Sequence, residues 1–250
     1  MPEALGSFPP LGVLMLEHEI TRPPGDVGNP ASFPFPVRYR TVTGVPLDRL
    51  LAGDPTILEP LVEAARDLQG QGAWGITSGC GFFVLFQERL AARLEVPAFL
   101  SSLLQIPLAQ AVVGPEAKVG VLTAHAGRLG QKHLLAAGMD PARPVEVVGL
   151  EDRPAFAGAI LKQRGEYRGP EIEAEVTAAA RELARRPGVA ALVLECTNLP
   201  PFALAIQRAT GLPVFDLTTL VGHAFAARFR HPFPASPAAS RPLRRSTSPG

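Results

Sequence analysis

The chain has 250 residues, 46% of them hydrophobic, and a formal net charge of +1, which is enough apolar material for one or two compact cores. This near-neutral charge gives no electrostatic basis for binding nucleic acid, so we expect no such partner. No apolar run approaches the roughly 18 residues of a membrane helix, and the first ten residues lack the pattern of a signal peptide. We therefore expect a cytoplasmic protein without a membrane partner.

The first part of the chain alternates between strand and helix patterns. The predicted elements are a strand at 11–16, a helix at 55–69, a strand at 74–77, a helix at 82–94 and a strand at 97–100. Asp54 stands where a side-chain cap for the helix at 55–69 is expected. This β–α–β order predicts parallel strands. Residues 18–36 form a long segment rich in proline and glycine, and a loop of this length usually has a function.

The second part of the chain repeats the alternation. The predicted elements are strands at 118–123, 145–148, 190–194 and 214–216, and helices at 127–137, 154–164, 171–185, 201–210 and 218–229. We expect residues 1–112 together with 215–230 to form one lobe and residues 113–214 to form a second. Residues 231–250 have no apolar periodicity and many helix breakers, which predicts a disordered tail.

Cys80 and Cys196, the only two cysteines, occupy equivalent positions in an internal repeat. A shift of 116 residues aligns them and also aligns Gly72 with Gly188 without gaps. Each cysteine follows an apolar strand and precedes an amphipathic helix. The predicted fold class is therefore α/β, with two similar Rossmann-like α/β/α lobes related by duplication, parallel sheets and an active site in the cleft between the lobes.

Free thiols at such positions have a chemical use. A helix N-terminus favours thiolate over thiol, so two opposed cysteines can serve as a base and an acid on the two sides of one carbon atom. Buried, inert cysteines are the alternative. A redox pair is a further option, but the sequence has no C-x-x-C motif to support it.

The segment E-C-T-N-L-P at 195–200 is similar to the second-cysteine motif of the aspartate/glutamate racemase superfamily, which includes hydantoin racemases, maleate isomerases and arylmalonate decarboxylases. The resemblance extends over most of residues 10–225. Gly81 and Phe82 after the first cysteine, and Asn198 after the second, depart from the amino-acid racemases and indicate a separate branch of the superfamily.

The resemblance implies a cofactor-independent isomerase, namely a racemase or epimerase of an amino acid or related carboxylate. Cys80 and Cys196 would be its catalytic acid/base pair, and its partner would be a small-molecule carboxylate substrate. The alternatives are an enzyme with one catalytic cysteine, like maleate isomerase or arylmalonate decarboxylase, and a non-catalytic protein that binds a small molecule. A homodimer is compatible with the sequence.

Polar residues near the predicted strand ends are the candidates for substrate binding. They are Glu17, Thr77, Ser78, Gly81, Thr123, His125, Thr197 and Asn198. Hydroxyl, amide and backbone N–H donors of this kind can hold a carboxylate, although the same residue types also cap helices. In the segment 18–36, Arg22, Asp26 and Asn29 are placed to reach the cleft as part of a lid. The five histidines show no metal-ligand spacing, so we expect no metal site.

Overall fold

The computed structural model describes residues 8–164 and 166–230, and the predicted tail at 231–250 lies outside them. The strands are β1 (Leu11–Met15), β2 (Val37–Thr41), β3 (Gly75–Ser78), β4 (Lys118–Thr123), β5 (Glu146–Gly149), β6 (Val189–Leu194) and β7 (Val214–Phe215). The α-helices are α1 (Leu47–Ala52), α2 (Leu58–Gly70), α3 (Gln87–Ala91), α4 (Ile106–Val113), α5 (Gln131–Ala136), α6 (Pro154–Phe156), α7 (Gly169–Ala184), α8 (Ala203–Thr210) and α9 (Leu217–Arg228).

The strands form two parallel sheets. One sheet has the order β2-β1-β3 and the other has the order β5-β4-β6-β7. β1 and β4 are each flanked by the next two strands along the chain, so β3 and β6 occupy equivalent places. The predicted α/β fold class with parallel sheets is confirmed.

The first sheet differs from the prediction at both edges. β2 was not predicted, because its sequence VRYRT has no apolar run and four of its five residues are exposed. It nevertheless pairs with β1 along its whole length, from Leu11 opposite Val37 to Met15 opposite Thr41. The strand predicted at 97–100 is reduced to a single bridge between Ile76 and Ala98.

The turn after Cys80 packs against both lobes. A 3₁₀ turn over Gly81–Phe86 precedes α3 where one continuous helix was predicted. Phe83 and Phe86 enter the core of the first lobe, whereas Phe82 and Val84 pack with apolar residues of β4 and β6. Because neighbouring aromatic residues are buried on opposite sides, both lobes fix the position of this turn.

α9 returns to the first lobe at the end of the described chain. Leu217 and Val221 pack with Leu11, Val13 and Trp74. This packing supports the proposed assignment of α9 to the first lobe, whereas Phe215 lies in β7 of the second sheet. Within residues 8–164 and 166–230, no helix is both long and apolar enough to cross a membrane.

Candidate active site

A cavity of about 230 Å³, here called the interlobe cavity, contains both cysteines. Its walls come from the loops after β1, β3, β4 and β6, so it lies at the carboxyl ends of strands from both sheets. In open α/β sheets these strand ends are where ligands bind. Cys80 is partly exposed, Cys196 is buried, and both are free thiols.

The predicted site residues fall into two groups. Cys80, Gly81, His125, Cys196, Thr197 and Asn198 line the interlobe cavity. The remaining four lie elsewhere: Glu17 is exposed in a separate depression, and Thr77, Ser78 and Thr123 are buried beneath the strand ends.

The buried hydroxyls hold the cavity wall together. Thr77 Oγ1 donates to the carbonyl of Phe99 over 2.7 Å, and Ser78 Oγ donates to the carbonyl of Leu100 over 2.6 Å. Thr197 Oγ1 lines the cavity but donates across the lobes to the carbonyl of Gly79 over 2.7 Å. These hydroxyl protons are therefore used to position backbone.

The two thiols have matching surroundings. The backbone N–H of Phe82 faces the sulfur of Cys80, and that of Asn198 faces the sulfur of Cys196; each lowers the pKa of its thiol. Burial has the larger and opposite effect, followed by the charge of Glu195. Together they raise the pKa of Cys80 to about 12 and that of Cys196 well above its ordinary value. The expectation that helix ends would favour thiolates is therefore wrong, because burial outweighs the backbone N–H groups.

A chain of hydrogen bonds fixes Cys196. Its Sγ donates to Asn198 Oδ1 over 3.4 Å, Asn198 Nδ2 donates to Asp26 Oδ2 over 2.6 Å, and Arg22 donates to Asp26 Oδ1 over 3.0 Å. Asp26 is buried and accepts hydrogen bonds only. The amide nitrogen of Asn198 must therefore face Asp26, which turns its oxygen toward the thiol.

The segment rich in proline and glycine closes over the second lobe. The backbone N–H of Val27 donates to the carbonyl of Thr197 over 3.4 Å. Gly25 has a φ of +100° and lies against the backbone of Pro201, where a side chain would overlap it. Asn29 Nδ2 donates to the carbonyl of Arg22 over 2.7 Å, which helps to hold Arg22 in the cavity wall.

Glu195 is the main site residue that sequence reasoning missed. It lines the interlobe cavity but is only 1% exposed, and its Oε2 accepts a hydrogen bond from Thr123 over 2.7 Å. Burial raises its pKa to about 7, although Thr123 and the backbone N–H of Ala124 act in the opposite direction. The feature of the sequence that could have identified Glu195 is its place directly after the apolar strand β6.

Basic side chains complete the cavity wall. His18, Arg22, His125 and Arg128 line it. Burial, and then the charge of Arg22, lower the pKa of His18, which favours its neutral form. His125 Nδ1 lies 3.5 Å from Glu151 Oε1. The described part of the chain contains no group of three or more His, Cys, Asp or Glu residues that could hold a metal ion.

The fold is similar to that of solved racemases and decarboxylases. Glutamate racemase RacE1 from Bacillus anthracis superposes with a TM-score of 0.53 at 13% identity, covering 88% of this chain and 82% of that chain. An arylmalonate decarboxylase gives a TM-score of 0.54 at 18% identity, covering 92% and 96%. At such identities the likeness shows the fold alone. The chain matches no protein-family model.

Curated relatives correct the predicted reaction. A dimethylsulfoniopropionate lyase from Durusdinium sp. clade D is 34% identical over 219 residues, covering 82% of this chain and 70% of the relative. Dimethylsulfoniopropionate lyase 7 from Emiliania huxleyi (strain CCMP1516) is 32% identical over 235 residues, covering 90% and 69%. Because these relatives are lyases, the prediction of an isomerase acting as a racemase or epimerase is wrong. The repeated cysteine motif predicted the fold but not the reaction, and the chain belongs to the dimethylsulfoniopropionate lyase family.

Proposed function

We propose that the protein cleaves dimethylsulfoniopropionate by β-elimination. A base removes a proton from the carbon next to the carboxylate, the electron pair forms the new carbon–carbon double bond, and the C–S bond breaks with its electrons moving to sulfur. The products are dimethyl sulfide, acrylate and one proton. The observation that carries this proposal is the 34% identity to a lyase of this substrate over 82% of the chain.

The two thiols in the interlobe cavity support this chemistry. A proton next to a carboxylate is weakly acidic, so its removal requires a strong base, and a cysteine thiolate is such a base once the resting thiol has released its own proton to solvent. Elimination needs only one such base, because no proton returns to the carbon. Inversion of a stereocentre, by contrast, needs a base on one face of the carbon and an acid on the opposite face.

We assign the base to Cys196. Asn198 Oδ1 accepts the proton of the resting thiol, and the backbone N–H of Asn198 faces the sulfur and also stabilises the thiolate. A fixed position relative to the reacting carbon is a large part of the advantage of an enzymatic base. The sulfur of Cys80 has the corresponding backbone contact, from the N–H of Phe82, but within the described chain it has no side-chain contact like that of Cys196 with Asn198. Cys80 therefore takes a supporting role, as a polar part of the opposite wall.

The remaining wall suits a small zwitterion with apolar methyl groups. Arg22 offers a guanidinium group for the carboxylate, and the buried side chain of Asp26 holds that group in place. Leu16, Phe82 and Ile160 provide apolar surface for methyl groups. The small-molecule carboxylate partner is thus part of the proposal, whereas self-association stays a prediction.

The test is direct. Purified protein is incubated with dimethylsulfoniopropionate, and dimethyl sulfide is measured by gas chromatography of the headspace while acrylate is measured by liquid chromatography. We expect the two products in equal amounts, and their loss in Cys196→Ser. Glu182→Gln, a change at a half-exposed carboxylate of the second lobe, is the control and should leave the rate unchanged. Wild-type protein that is folded yet releases neither product would overturn the proposal.

A further inference from the structure

One carboxylate oxygen of Glu195 has no role in the proton transfer to Cys196. Oε2 is bound by Thr123, but Oε1 is buried and has no hydrogen-bond partner among the described residues. Leaving a charged oxygen buried and unpaired is costly, so such a group in a native site calls for an explanation, and a bound partner is one. Oε1 is itself covered, in part by Gly81, but Glu195 lines the interlobe cavity, so a charged group bound in the cavity lies close to the carboxylate.

The other acidic residue in the cavity wall is differently placed. The Asp48 side chain is 82% exposed and pairs with Arg128 over 2.7 Å. Water and Arg128 therefore already satisfy Asp48. Glu195 is thus the buried acidic residue of the described cavity wall, and it lies on the same wall as Cys196.

We infer that Glu195 binds the positively charged sulfonium group of the substrate. A sulfonium group carries charge but has no N–H or O–H to donate, so it suits an oxygen that lacks a donor rather than one already in a hydrogen-bond network. Phe82, whose side chain is of the aromatic kind that attracts organic cations, lines the same cavity. The identity of the cation rests on the proposed function, but the preference of this position for a cation does not.

The titration of Glu195 agrees with this role. Its pKa of about 7 leaves both the protonated and the ionised forms populated near neutral pH. An entering cation stabilises the ionised form, as any nearby opposite charge does. Binding of a cation therefore increases the fraction of Glu195 that is ionised.

The role predicts a particular kinetic signature. The positive charge on sulfur disappears as the C–S bond breaks, so a carboxylate beside it stabilises the bound substrate more than the transition state. Interactions of that kind affect KM more than kcat. Glu195→Gln, which keeps the shape and removes the charge, should therefore raise KM for dimethylsulfoniopropionate about tenfold or more while changing kcat less.

Binding of uncleaved probes tests the inference independently of turnover. The cationic probe is 3-(trimethylammonio)propanoate, and the neutral probe is 4-methylpentanoate, in which carbon replaces the sulfonium sulfur. Dissociation constants are measured by calorimetry for wild type, Glu195→Gln, Glu195→Asp and the control Glu182→Gln, which removes the same charge far from the cavity. Circular dichroism establishes that each variant is folded.

Wild type and Glu182→Gln should prefer the cation by about tenfold or more, and Glu195→Gln should lose most of that preference. Glu195→Asp should retain part of it, because the charge remains but is drawn back from the cavity. An unchanged preference in folded Glu195→Gln would overturn the inference. If wild type binds the cation selectively but never cleaves dimethylsulfoniopropionate, the proposed function fails while the cation site stands.

Discussion

Gly81 lies directly against Glu195 across the boundary between the lobes. A Cβ atom on Gly81 would overlap both the Oε1 atom and the main-chain oxygen of Glu195. The turn after the first cysteine can therefore approach the end of β6 only because residue 81 has no side chain. The sequence predicts that Gly81 lies near the substrate. The structure shows in addition that Gly81 leaves the space that the buried carboxylate of Glu195 occupies.

Gly81→Ala should destabilise the protein by about 1–3 kcal/mol, because the main-chain oxygen of Glu195 cannot move away without shifting β6. Gly70→Ala is the matched control. Gly70 ends α2, and no atom lies within 4 Å of the place that an alanine Cβ would occupy there, so this change should be neutral or stabilise by up to about 1 kcal/mol. Urea unfolding measures both, and equal effects from the two substitutions would contradict the close approach.

Glu195 should make the free energy of unfolding depend on pH. In the folded protein its pKa is raised from 4.5 to about 7, so the folded state holds a proton that the unfolded state has already released. Its contribution is complete below about pH 4.5 and is lost as the pH rises to about 7, a loss of roughly 3 kcal/mol.

Comparison with Glu195→Gln isolates this contribution, because the other titrating groups are common to both proteins. Between pH 5 and pH 8 wild type should lose more stability than the variant in urea unfolding. Parallel pH profiles for the two proteins would show that Glu195 titrates normally in the folded state.

The positions of the two cysteines could be predicted from the sequence because their apolar strands and following turns repeat with constant spacing. Glu195 could not be recognised in the same way. Its burial depends on the pairing of β4 with β6 and on Gly81 from the other lobe, and neither contact is local in sequence. The reaction was also beyond prediction, because the same thiols can remove a proton whether or not the substrate has a leaving group.

Cys196→Ser should lower kcat/KM for dimethylsulfoniopropionate by about a thousandfold or more, since a hydroxyl is too weak an acid to form the required base. Cys80→Ser should lower kcat/KM less, by about ten- to a hundredfold, because the elimination needs one base and no acid on the opposite face. Assays of dimethyl sulfide release at saturating and low substrate concentrations separate kcat from KM. A larger loss in Cys80→Ser than in Cys196→Ser would transfer the role of base to Cys80.

Alkylation by iodoacetamide should be slow for both thiols at pH 8. With a pKa of about 12, Cys80 has few thiolates at this pH, and its higher intrinsic nucleophilicity compensates only in part. We expect a rate about thirtyfold or more below that of free cysteine. Glu195→Gln should accelerate both reactions, since the charge of Glu195 raises both thiol pKa values. Mass spectrometry resolves the two sites, and rapid labelling of wild type near neutral pH would refute the raised pKa values.

Asp26→Asn should disturb the site that it supports from behind. Asp26 accepts hydrogen bonds from Arg22, from Asn198 and from the backbone N–H of Gly28, whereas an asparagine must turn its own NH₂ group toward one of these donors. Asn198 would then be free to rotate away from Cys196. We expect a loss of about 2 kcal/mol in stability, because Arg22 becomes an unpaired and mostly buried charge.

Activity should fall together with stability: kcat should drop about ten- to a hundredfold because the position of the base is lost, and KM should rise because Arg22 is no longer held in place for the substrate carboxylate. Glu59→Gln is the control: it removes a bidentate ion pair with Arg93 at the surface, which is worth less than about 1 kcal/mol. Urea unfolding and steady-state kinetics compare the two variants. If Asp26→Asn behaves like Glu59→Gln in both measurements, the hydrogen-bond chain from Arg22 to Cys196 has no part in positioning the base.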